Sequence, residues 1–177
     1  MGTTETWPLA FARPASISWW MMKFLQMCGA GLALFFGASA VSAQELTVVE
    51  RWEADHAQVF EAADVTLDEL QWIARPLVIF ADTPNDPRFQ QQLDLLTDRF
   101  GELAERDVIV FTDTDPAGES ELRLRLRPRG YMMALVAKDG SVAFRKPSPW
   151  SVREITRSID KMPLRQQEIE DRRAVGQ

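Results

Sequence analysis

The stretch PLVIFADTPNDPRF, residues 76–89, decides how this chain folds. Its first half, PLVIFAD, is a continuous apolar run of strand length, the pattern of a strand buried on both faces of a parallel sheet. Its second half opens a helix. Asp86 is a capping residue, Pro87 suits the first helical position, and Phe89, Leu93, Leu96, Phe100 and Leu103 recur on one helical stripe. DVIVFTD, residues 107–113, then reads as a second strand, so the unit predicts a right-handed parallel crossover between neighbouring or nearly neighbouring strands. Both strands run into acidic loops on the same edge of the sheet. In several α/β folds chemistry is done at such a joint. Here its residues read as a well-capped helix start.

Working outward, VTLDELQWIARP at 65–76 carries a capping box, Thr66 with Glu69, followed by Leu67, Leu70 and Ile73 at helical spacing and a stop at Pro76. Residues 44–65 form a weakly patterned, irregular lead-in, with Trp52 and Val59 as its packing residues. Downstream, residues 115–130 are ambiguous. Leu122, Leu124 and Leu126 alternate with arginines as in a strand, yet Glu119, Leu122, Arg123 and Leu126 suit a short helix, which is the reading we favour. YMMALVAKDGSVAFRK at 131–146 is a hairpin turning at Asp139–Gly140. SVREITRSIDKMP at 151–163 is a helix with a second capping box, Ser151 with Glu154; Ile155, Ile159 and Met162 share a face and Pro163 stops it. The remainder is mostly charged and is expected to fray, residues 169–177 forming a polar tail. The element order predicts a thioredoxin-like α/β fold over residues 66–168: a mixed central sheet of about four strands flanked by helices.

The chain opens differently. Lys23 precedes FLQMCGAGLALFFGASAVSA, residues 24–43, which ends with Val41 and Ala43 where a signal peptidase needs small residues. Residues 1–43 therefore read as an export signal cut after Ala43, and the aperiodic residues 1–21 as an over-extended start, leaving a periplasmic or extracellular protein. The other reading is an uncleaved anchor, since Phe24 to Val41 is about long enough to span a bilayer. Of the 177 residues, 20 are basic and 26 acidic. Removing Arg13, Lys23 and Glu5 with the leader leaves 18 and 25 on one domain's length of chain. That acidic balance argues against a nucleic-acid partner. The single cysteine, Cys28, lies inside the leader, so the mature chain has none.

Three segments, LDELQWIARPLVIFA, ALVAKDGSV and above all IDKMPLRQQE at 159–168, resemble the domain-of-unknown-function 4174 family, bacterial relatives of the DUDES domains of animal extracellular-matrix proteins. The resemblance covers residues 66–168. It implies a thioredoxin-like fold outside the cytoplasm and brings no established reaction.

Thioredoxins place a thiolate at the strand-to-helix joint, where the helix end lowers its pKa. Here Thr83 to Pro87 stand in that place without a cysteine, and Asp86 caps. The cis-proline such folds carry ahead of the hairpin strand is absent too: the count back from the turn reaches Met132, and Pro128 is too early. His56, the only histidine, lies in the lead-in with no nucleophile motif to serve. Asp82, Asn85, Asp86, Asp113 and Asp115 are candidate ligand-binding residues at the sheet edge, where oxygen ligands suit a hard cation. Residues 113–124 nevertheless fail the calcium-loop pattern, with Ala117 fifth and Leu124 twelfth, and caps explain the cluster as well. Arg123, Arg125, Arg127 and Arg129 form one basic patch, suited to carboxylates or to a solvated face. In the family-specific block, Asp160, Met162, Pro163, Arg165 and Glu168 are candidate structural or interaction residues. Arg165 and Glu168 make either a short-range ion pair or a docked tail, the fork of Arg165 reaching Asp160 or the strand-end carboxylates.

Two classes follow. One is a non-catalytic module of the cell envelope binding a protein or peptide partner at a sheet edge or at the vacated redox site, with no cofactor. The other is an enzyme using the edge carboxylates with a metal or unknown cofactor.

Overall fold

β2 (Arg75–Phe80) lies in the middle of the sheet and is buried along its whole length, as is β3 (Val108–Asp113) beside it. In the computed structural model, which describes residues 46–176, five strands run in the order β1-β3-β2-β4-β5. β1 (Val59–Glu61), β3 and β2 are mutually parallel. β4 (Met132–Val136) is antiparallel to β2, and β5 (Val142–Lys146) returns antiparallel to β4 as the outer strand. This is the thioredoxin-like arrangement, with five strands rather than about four. The leader, its cut after Ala43, the anchor alternative and the over-extended start all lie outside the described residues. Among the described residues no helix is long and apolar enough to cross a membrane.

Alternation along the strands divides the core between two faces. Val78, Phe80, Ile109 and Phe111 pack on one face against α1 (Val48–Ala54), α2 (Leu67–Leu70) and α5 (Glu121–Leu126), through Trp52, Leu67, Leu70, Leu122 and Leu126. Leu77, Ile79, Val108 and Val110 pack on the other against α3 (Pro87–Thr97), α4 (Phe100–Ala104) and α6 (Val152–Ile159). Covering both faces is why β2 and β3 read as unbroken apolar runs.

Several expectations need correction. The lead-in is ordered. Thr47 and Glu50 form a capping box for α1, and β1 pairs with β3 in the register Val59 to Val110, so the sheet begins before Thr66. α2 ends after one turn because Trp72 takes a left-handed conformation, φ +65°, and donates its backbone N–H to the Lys138 carbonyl at 2.7 Å. Ile73 is consequently exposed, and Pro76 lies inside β2 instead of ending a helix. β2 tolerates that proline because its pairing with β4 starts only at Leu77. The long stripe after Asp86 is split: Phe100 and Leu103 belong to α4, a separate helix after a break at Asp98–Arg99. α6 ends at Ile159, so Met162 lies beyond it as the capping position of the next helix and Pro163 is not its stop; Pro163 is the first residue of α7 (Pro163–Val175), and the charged remainder is helical and not frayed. The hairpin, its Asp139–Gly140 turn and α5 stand as expected, Gly140 supplying φ +82°.

Candidate functional site

The sheet has two working ends, and the residues singled out from the sequence divide between them. At the end where β2 and β3 finish, Asp86 caps α3: its Oδ1 accepts the Arg88 backbone N–H at 2.8 Å and its Oδ2 the Arg88 guanidinium at 3.0 Å. That side-chain bond holds the Asp86 carboxyl below the usual carboxylate range. Asp82 and Asn85 are exposed, Asn85 donating its backbone N–H to Thr83 Oγ1 at 3.4 Å. Asp115 accepts from Ala117 N–H at 3.0 Å at the start of a single 3₁₀ turn. Asp113 is buried, with Oδ1 taking Arg123 Nη2 at 2.6 Å and Oδ2 accepting from Ser120 Oγ at 2.5 Å. The five candidates thus share an edge without sharing a centre. Among the described residues no three acidic, histidine or cysteine side chains gather closely enough to hold a metal ion. His56 packs its ring on Trp52 at 4.5 Å, in the segment between α1 and β1.

Arg123 occupies the place between the strand ends. Besides Asp113 it donates to the Ala81 carbonyl and to the Asp113 carbonyl, each at 3.0 Å, and its guanidinium lies over the Phe80 ring at 5.4 Å. The four arginines expected as one patch are therefore divided. Arg123 is a structural pin and Arg125 pairs with Asp68 at 3.2 Å. Arg127 and Arg129 remain exposed, without a carboxylate partner among the described residues. Arg145 and Lys146, brought in by β5, join them round a pocket of about 280 Å³ that Tyr131, Met132 and Pro147 complete. The loop bends into position through two left-handed residues, Arg127 at φ +48° and Gly130 at φ +61°.

The residue immediately ahead of the hairpin strand is Tyr131; Met132 is already the first residue of β4. Tyr131 is buried and donates its hydroxyl to Gln92 Oε1 at 3.3 Å. Burial pushes its phenol up to about 12, although Arg88, over its ring at 5.2 Å, pulls the other way. It stays protonated at physiological pH and gives the pocket a neutral, fixed wall.

The family-specific block lies at the opposite end. Arg75, fully buried, donates Nη2 to Glu168 Oε1 at 2.7 Å and Nη1 to the Arg106 carbonyl at 2.8 Å. Glu168 Oε2 accepts from Arg165 Nη1 at 3.1 Å, and Lys138 Nζ sits 3.3 Å from Glu168 while bonding Asp107 at 2.7 Å. Arg165 also reaches the Glu105 carbonyl at 3.1 Å and lies 3.7 Å from Asp160, whose two oxygens take the Arg106 fork at 2.8 Å each. Met162 packs half-buried on the α6 face of the core, and Pro163 starts α7. Burial opposes ionisation of Glu168, but the hydrogen bonds from Arg75 and Arg165 and the charges of Arg75 and Lys138 outweigh it and leave its pKa lowered. Arg106 likewise holds Asp160 below its ordinary value. Arg165 docks within this cluster, away from the strand-end carboxylates at the other edge.

Sequence reasoning missed Arg75, Lys138 and Asp107 in this network, and Arg145 and Lys146 in the pocket. Arg75 had a readable signal, a cation joined directly to an unbroken apolar strand, which can be buried only if paired.

A family model described as "Domain of unknown function (DUF4174)" matches residues 66–168. The chain is 31% identical over 140 residues to coiled-coil domain-containing protein 80 of Danio rerio, a match spanning 62% of this chain and 16% of that protein. In fold it is similar to a reduced 2-Cys peroxiredoxin of Plasmodium vivax, with a TM-score of 0.49 and 13% identity over 60% of this chain and 90% of that one.

Proposed function

The chain belongs to the DUF4174 family, and on that premise we propose that its work is binding: it is an exported, thioredoxin-like module of the cell envelope that recognises a carboxylate-bearing segment of a protein partner. One observation carries this reading. Arg127, Arg129, Arg145 and Lys146 line a single concavity without a carboxylate partner among the described residues, on a chain whose net charge is −6. Cations left unpaired on an acidic protein focus a local positive field, and guanidinium forks match carboxylates in shape. Of the acidic residues at this end, Asp86 and Asp113 are committed to Arg88 and Arg123 and do not compete.

The same end supports binding over catalysis. With the leader removed after Ala43 no cysteine remains to supply a thiolate for disulfide exchange or peroxide reduction, and Arg123 fills the position between the strand ends. The small residues at Val41 to Ala43 support export.

Two measurements test the proposal. Mass spectrometry of the periplasmic form should find Gln44, or its cyclised product, at the N-terminus; the intact apolar run in the membrane fraction would defeat the export reading. A labelled polyglutamate peptide should bind the purified protein more weakly as salt rises. It should lose binding to the Arg127→Glu/Arg129→Glu variant while the Tm stays unchanged. Equal binding by that variant, or none by the parent, would remove the cationic pocket as the site.

A further inference from the structure

We propose that the outer side of β5 is a strand-addition site, taking an extended peptide segment of alternating apolar and acidic residues from a protein partner as a sixth strand. The proposal rests on the cationic-pocket reading and deepens it, naming the conformation and pattern of the ligand. The sheet ends at β5, which is hydrogen-bonded to β4 on one side only. Its five residues offer an edge of about 17 Å. An edge of this kind presents unpaired N–H and C=O groups that an added strand satisfies.

Two features beside the edge specify the occupant. Along it runs an open groove of about 620 Å³, lined by Ala143, Phe144, Trp150 and Met162, with Lys146 and Lys161 on its rim. Phe144 and Trp150 stack at 5.5 Å between ring centroids and give the groove an aromatic wall. Side chains of an added strand alternate in direction, so one set can enter this groove while the other turns away from it.

Charge is the second feature. Arg145 and Lys146 stand on the strand itself, and Lys146 lies over the Trp150 ring at 3.9 Å with no carboxylate partner among the described residues. The one acidic residue lining the groove, Asp139, is turned onto its own hairpin, accepting from Ser141 N–H at 2.9 Å and Ser141 Oγ at 2.6 Å. Cations on an edge strand guard against pairing with a like strand, because like charges placed opposite one another destabilise the pair. A second copy of β5 is disfavoured by that rule, and an acidic strand is favoured by the same rule. β5 also continues directly from the groove into the Arg145–Lys146 side of the cationic pocket, so one extended ligand can use both.

The test uses the purified full chain, isotope-labelled, and four capped peptides. The parent is a heptapeptide of alternating Glu and Val. Two derivatives carry N-methyl groups on alternate backbone nitrogens, one in each phase, and the fourth peptide is polyglutamate. Strand addition points every second N–H at β5 and the rest at solvent. One methylated phase should therefore lose about tenfold in affinity while the other matches the parent, a difference set by a few backbone hydrogen bonds. The β5 amides should exchange more slowly in the parent complex, and Phe144→Ala should weaken the parent while sparing polyglutamate. Equal affinity of both methylated phases and the parent, with shifts confined to the Arg127–Arg129 loop, would overturn strand addition and leave the cationic pocket standing. Absence of binding by every acidic peptide, or binding only to anionic phospholipid vesicles, would overturn both.

Discussion

Glu168→Gln should be among the most damaging single-atom-scale changes in this protein, although Glu168 lies in a segment of charged residues near the end of the chain. Its two oxygens accept from Arg75 at 2.7 Å and Arg165 at 3.1 Å. A glutamine keeps one acceptor and turns an NH₂ donor toward the other guanidinium. The larger effect is on Arg75, whose side chain is 0% exposed and whose next carboxylate, on Asp107, is 3.8 Å away. Breaking a buried ion pair from one side costs about 3–5 kcal/mol, and a hydrogen bond to a charged group about 1.5–3 kcal/mol. The Glu168 side chain is 17% exposed, which places the expected loss near the lower figure, about 3 kcal/mol. For a domain of this size that is a fall in Tm of about 10 °C. Scanning calorimetry reads it directly. A fall below about 3 °C would refute the claim that α7 is pinned through Glu168. The companion Arg75→Met/Glu168→Leu should recover most of the loss, because the cost lies in the widowed charge and not in the absence of a pair.

Deleting Leu164 to Gln177, which removes Glu168 as well, should lower the Tm by at least as much as Glu168→Gln, and Arg165→Ala should lower it by several degrees; an unchanged Tm in calorimetry would refute docking of the tail. Because Asp160 and Glu168 have folded pKa values lowered from 3.8 and 4.5, their stabilisation is complete above the unfolded values and is lost as pH falls through the folded ones. The Tm of Glu168→Gln should therefore drop less steeply than the parent's between about pH 6 and pH 3, and parallel profiles would refute the linkage. Trp72→Gly should be neutral or stabilising by about 0.5 kcal/mol in urea unfolding, since it relieves a left-handed tryptophan that is 64% exposed. A loss above about 1 kcal/mol would show that the indole packs.

The centre of the fold was legible because its signals are local. A strand covered on both faces must be apolar throughout, and Asp86–Pro87 states a helix start within two residues. What escaped was held by partners far away in the chain. β1 is three residues long and exists through its pairing with β3. α7 has no apolar stripe, so periodicity could not find it; Arg165 is its one buried residue and ions hold it down. Pro163 was legible only as a stop, because a proline in the first turn of a helix looks in sequence like one that follows a helix; α6 in fact ends at Ile159. The pocket was half visible: Arg127 and Arg129 stood out, while Arg145 and Lys146 reach them only once the hairpin closes.

Pro163 also makes the block after it a ruler. α6 ends at Ile159 and α7 starts at Pro163, so the distance along the chain from that start fixes the angular phase at which each later side chain leaves the helix. Arg165 and Glu168 arrive one turn apart, on the side facing Arg75. One residue added or removed between Pro163 and Glu168 would swing that side by about 100° and bring a different pair of side chains to a guanidinium whose next carboxylate, on Asp107, is 3.8 Å away. Substitutions in this block change how strongly the helix is held, whereas a change of length alters what is presented at all. Length variation is therefore more costly here than within the exposed residues 115–119.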